Sequence, residues 1–118
     1  MIRTAIIGLA LLGLAGTASA RDLGGNYRAN GTNFDGSPYS GTANIQITSD
    51  TTCAITWTTG STSSNGFCMR NQDAFAAGYV MGDSIGLVIY KMMPDGSLNG
   101  IWTIAGKNGA GTEVLTPE

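Results

Sequence analysis

The sequence predicts an all-β fold: a small up-and-down antiparallel β-barrel of about eight strands, with an open β-sandwich as the alternative. Three observations lead there. Apolar and polar residues alternate with period two in one short segment after another. Turn-forming residues separate those segments where hairpins need them. From Arg21 onward, no stretch keeps helical spacing for the roughly ten residues a helix requires.

The chain opens with a segment set apart from that domain. Arg3, an apolar run from Ala5 to Ala15 and the small residues Ala18-Ser19-Ala20 have the three-part form of a secretory signal peptide. The apolar run is about half the ~20 residues of a spanning helix, which argues against a membrane anchor. Cleavage after Ala20 is expected. It leaves one domain over residues 21–118, without a membrane span, in the periplasm or outside the cell.

A first strand is expected over Gly25–Gly31, followed by the turn signal Asp35-Gly36. The second, Tyr39–Thr48, alternates most clearly: Tyr39, Gly41, Ala43, Ile45 and Ile47 on one face, Ser40, Thr42, Asn44, Gln46 and Thr48 on the other. Such a strand has one dry and one wet side. Thr52–Thr59, Ser63–Arg70 and Ala74–Met81 follow as third to fifth strands. Gly82-Asp83 leads into Ser84–Met92, and Pro94-Asp95-Gly96 into Ser97–Ala105. Gly111–Thr116 is the last strand. The Gly-rich stretch before it, Gly106–Gly111, lacks the Gly-Lys-Ser/Thr ending and the helix of a phosphate loop, so it reads as a hairpin loop. Asp35-Gly36-Ser37 and Asp95-Gly96-Ser97 echo one another. Shared turn rules explain this more simply than duplication. Closing the strands into a barrel removes unpaired edges that would template aggregation.

Composition excludes several activities. With 6 Lys+Arg against 8 Asp+Glu and a formal charge of −2, the chain lacks the basic footprint of a nucleic-acid binder. It has no His, so the commonest general base and metal ligand are both missing. Cys53 and Cys68 are the only cysteines. In an oxidising compartment they are expected to form one disulfide, and they are too few for a zinc site. Period two places Cys53 with Ile55 and Trp57, and Cys68 with Gly66 and Arg70, so an inward pair sends Phe67 and Met69 outward. The expectation is therefore either a bulge that shifts the register or a bridge on the outside.

Carboxylates are the only acid/base candidates. Asp35, Asp83 and Asp95 belong to turns, where Asp caps its own backbone. Glu113 lies within a strand and is expected to face solvent; facing inward, it would need a partner such as Arg28 or Arg70. No catalytic, cofactor-binding or metal-ligating residues are therefore assigned. The aromatics Tyr27, Tyr39, Trp57, Tyr79, Tyr90 and Trp102 are expected to fill the core, with a ligand-lining role as the alternative. Gly41, Ala43 and Gly100 leave room inside, while Ile45, Trp57 and Trp102 occupy it. The Met92-Met93 pair beside Pro94 suits an exposed contact surface.

Gly25-Asn26-Tyr27, the run Gly31–Thr42 (GTNFDGSPYSGT), Asp95–Trp102 (DGSLNGIW) and Gly111-Thr112-Glu113 resemble a family of small secreted bacterial proteins. Some members of that family are called fibronectin-binding proteins. Gly25-Asn26-Tyr27 and Gly100-Ile101-Trp102 are more loosely similar to the Gly-x-Trp opening of lipocalins and avidins. The resemblance implies export and a β fold, and it carries over no catalytic residue. The expectation is an exported, non-catalytic binding or structural protein acting through its surface on a protein or envelope component. The alternative is a lipocalin- or avidin-like barrel that takes a small ligand.

Overall fold

The computed structural model describes residues 23–118; the expected signal peptide, residues 1–20, lies outside the described residues. Eight strands follow in order: β1 (Gly25–Thr32), β2 (Pro38–Ile47), β3 (Thr52–Thr59), β4 (Thr62–Asn71), β5 (Ala74–Met81), β6 (Ser84–Met92), β7 (Leu98–Ile104) and β8 (Gly111–Pro117). Each pairs antiparallel with its sequence neighbours, and β8 pairs with β1, so the sheet closes as the up-and-down barrel the sequence predicts. The expected strand limits differ from the observed ones by only a residue or so at each end.

Alternation fixes the two faces. Buried residues fall at every second position, as in Cys53, Ile55 and Trp57 of β3 or Phe75, Ala77 and Tyr79 of β5. Hairpins β2–β3, β4–β5 and β6–β7 turn at one end of the barrel, and β1–β2, β3–β4, β5–β6 and β7–β8 at the other.

The first end is closed. Leu23 is buried beneath it, and the Tyr27 hydroxyl donates to the Leu23 carbonyl at 2.5 Å. Ile45, Ile55, Phe75, Leu98 and Leu115 fill the space above with almost no exposure. Cys53 and Cys68 form the expected disulfide. They face each other across β3 and β4 with Cα atoms 5.0 Å apart, and both point inward. The inward phase of β4 therefore runs through Ser64, Gly66 and Cys68 and sends Phe67 and Met69 outside, with an unbroken register that needs no bulge.

Two other details correct the sequence reading. Ile47 shares the inward phase of β2 yet is 55 % exposed, because it sits at the strand's last position, below the barrel floor. Met92 and Met93 are half-buried, and Met92 packs against the core rather than forming an exposed contact.

The outer surface has two halves. Over β1–β3 it carries Asn26, Asn30, Thr42, Asn44, Gln46 and Thr56. Over β4–β7 it carries exposed apolar side chains, including Phe67, Met69, Ile85, Leu87, Ile89 and Ile101. A lipid-spanning barrel has its apolar band all the way round. Here the band covers one side.

Candidate functional site

The second end of the barrel is open. A cavity of about 290 Å³ enters it, with Asn33, Thr59 and Thr62 near its mouth and Trp57, Val88, Tyr90 and Glu113 among its lining. Tyr39, Tyr79, Met81 and Trp102 complete the wall together with Ser64.

Glycines make room for the rings. Gly31, Gly86, Gly100 and Gly111 stand directly across the sheet from Tyr39, Tyr79, Tyr90 and Trp102 respectively. In each pair a Cβ on the glycine would enter the space of the facing ring. An aromatic side chain lying over a cross-strand glycine lets a small barrel bend sharply and still shield its backbone. These four pairs set the orientation of four of the five large aromatics around the cavity.

Glu113 faces inward, contrary to the sequence expectation, and is only 5 % exposed. The reason is phase: Glu113 alternates with Gly111 and Leu115, which are both buried, while Thr112, Val114 and Thr116 point out. Its partners are not arginines either. The Trp57 indole N–H donates to Oε2 at 2.9 Å, the Tyr90 hydroxyl donates to the same oxygen, and the Tyr39 hydroxyl donates to Oε1 at 2.8 Å. Arg28 is outside, 4.0 Å from Glu118, and Arg70 is at the closed end.

The electrostatics follow from this cluster. Burial first, and then the nearby negative charge of Glu113, raise Tyr39 and Tyr90 well above the ordinary phenol value; the same two causes raise Tyr79 to about 12. Three phenols thus stay protonated and able to donate at neutral pH. Among the described residues no Lys or Arg lines the cavity, and the side chains that donate to the carboxylate there are neutral.

The expected aromatic set divides in two. Tyr27 belongs to the closed end, where it anchors Leu23. Tyr39, Trp57, Tyr79, Tyr90 and Trp102 surround the cavity. Trp57 and Tyr79 have ring centroids 5.1 Å apart, and Phe34 of the β1–β2 loop stacks on Trp102 at 5.0 Å, forming part of the rim. Gly41 and Ala43 do face inward, but Tyr90 covers Gly100.

No family model matches the chain, and none of the curated proteins matches it. Solved structures do. A redesigned β-barrel superposes with a TM-score of 0.72 at 18% identity, covering 84% of this chain and 94% of that one. The redesigned barrel mFAP1, bound to DFHBI, gives 0.70 at 20% identity over 82% and 96% of the two chains. A de novo designed fluorescence-activating β-barrel gives 0.67 at 15% identity, over 85% and 97%. The likeness is one of fold.

Proposed function

We propose that this protein is an exported, non-catalytic barrel that binds a small molecule in the cavity at its open end. One observation carries the reading: the aromatic side chains of that end surround a void instead of filling it, and a hydrogen-bonded carboxylate lies in the void's wall. Apolar walls with a few fixed polar groups are the usual make-up of a small-molecule site. Two of the similar barrels hold the dye DFHBI, which makes that dye a sensible first probe. The disulfide fits a periplasmic or extracellular location, where such bonds persist. The test is to titrate DFHBI and a fragment library while following the indole N–H resonances of Trp57 and Trp102. Ligands are expected to shift both signals, and Ser64→Phe, which puts a ring into the cavity, is expected to abolish the shifts. Shifts that persist in the filled variant, or a library that moves neither signal, would overturn the reading.

A surface role has an observation of its own. Met69, Ala76, Ile89 and Ile101 lie side by side across β4–β7, with the row Phe67, Gly78 and Leu87 beside them. Ile85, Leu87, Ile89 and Ile101 are each more than 60 % exposed. A standard interface takes about 800 Å² from each partner, and a contiguous apolar face of this kind marks an interaction site. The occupant that fits is a second copy of this chain, whose identical face is long and equally apolar, with Lys91 at its edge. Sedimentation should show a concentration-dependent dimer that Ile89→Lys converts to monomer. Monomer at every concentration, or binding of this face to lipid vesicles instead, would refute it.

A further inference from the structure

The proposed cavity offers an acceptor and a negative charge, and among the described residues no cation lines it to balance them. An ionised carboxylate has about four lone-pair sites, two on each oxygen. At Glu113, Trp57 and Tyr90 occupy those of Oε2, and Tyr39 occupies one of Oε1. One acceptor site on Oε1 is left. Among the described residues the remaining lining consists of aromatic rings, Met81, Val88 and uncharged hydroxyl and amide side chains, with no Lys or Arg. A buried charge held only by neutral dipoles is stabilised further by an opposite charge brought beside it. Ring faces attract cations as well, through their quadrupoles.

We infer that the ligand of this cavity is a small organic cation, an aryl or alkyl ammonium. Its N–H would donate to the free site on Glu113 Oε1, and its carbon skeleton would lie among Trp57, Tyr79 and Trp102. This rests on the cavity being a binding site and names the chemistry that the site selects. A void of about 290 Å³ holds the equivalent of roughly ten water molecules, room for one substituted ring. Neutral analogues of the same shape keep the ring contacts and lose the charge pairing. Anionic ones meet Glu113 as a like charge.

Glu113→Gln is the discriminating variant, because the amide can be seated without breaking the cluster. Its oxygen takes the Trp57 and Tyr90 donors, while its NH₂ turns to the Tyr39 hydroxyl, which also accepts hydrogen bonds. The variant keeps the shape of the site and removes its charge.

The experiment titrates benzylamine, benzyl alcohol and benzoate separately into the wild-type protein and into Glu113→Gln, following the Trp57 indole resonance. In the wild type, benzylamine is expected to bind at least tenfold tighter than benzyl alcohol, and benzoate weakest of all. In Glu113→Gln, that preference is expected to fall to within about twofold. Benzyl alcohol or benzoate binding the wild type as tightly as benzylamine would overturn the inference and leave the cavity reading standing. So would an unchanged benzylamine preference in Glu113→Gln. If none of the three moves the Trp57 signal, the inference falls, and the fragment library then decides the cavity reading separately. The wild-type comparison uses no substitution, so it tests the inference even if Glu113→Gln fails to fold.

Discussion

Glu113 holds its place through three side chains contributed by β2, β3 and β6, and each is a separate commitment of the fold. Tyr90→Phe removes one donor and leaves the ring. A hydrogen bond to a charged group contributes about 1.5–3 kcal/mol, so urea unfolding should show a loss of that order. A change below about 0.5 kcal/mol would mean that the carboxylate does not depend on Tyr90. Glu113 is also where reading the sequence fell short. Its strand has Gly111, Glu113 and Leu115 on one face and Thr112, Val114 and Thr116 on the other, and neither face is plainly the apolar one. The available signal was Leu115, the largest apolar side chain of the inward set, which carries Glu113 in with it. The donors that make this tolerable come from distant strands, and only the register brings them together.

At the scale of the element, most of the structure was legible, because alternation and turn chemistry act locally. The two Asp-Gly-Ser turns show how local. In both, the Asp carboxylate accepts from the backbone N–H and the hydroxyl of the Ser two residues on, and Gly36 and Gly96 have φ of 86° and 89°. They sit at opposite ends of the barrel, so the same three residues build the same turn in different surroundings. The serine hydrogen bonds lower the pKa of both carboxyls below the usual 3.8. Pairing between strands also yields predictions. The Cys53–Cys68 bridge spans 15 residues and should stabilise the domain by ~3 kcal/mol in the chain-entropy model. Denaturation midpoints with and without reductant will measure it, and thiol titration of the unreduced, denatured chain should find no free thiol. Gly100→Ala pushes a methyl group into the ring of Tyr90. It is expected to cost about 1–3 kcal/mol and to shift the Tyr90 ring resonances, whereas an outward substitution such as Asn99→Ala should do neither.

For the molecule as a whole, the contrast between a packed end and a hollow end governs the response to pH. Tyr39, Tyr79 and Tyr90 have folded pKa values above the ordinary 10.0. Below pH 10 their contribution to stability is complete; above it, the unfolded chain releases protons that the folded one retains, so stability falls through the interval toward 12 and beyond. Melting temperature should decline steeply above pH 10, and tyrosinate absorbance should rise in step with unfolding. Full ionisation of all tyrosines in a still-folded protein would contradict the burial of these phenols. Whole-barrel closure was legible as the remedy for unpaired edges, but the void was not, since its size depends on how five rings and four glycines share one space. Pairing of β1 with β8 also settles where the domain can be held. Tyr27 stands opposite Pro117, and the Glu118 backbone N–H donates to the Asn26 carbonyl, so both ends of the described chain leave from the side remote from the cavity mouth. Fixed to a bead or an electrode through Glu118, the barrel stands like a cup on its base, with its opening turned to the solution and no tether across it.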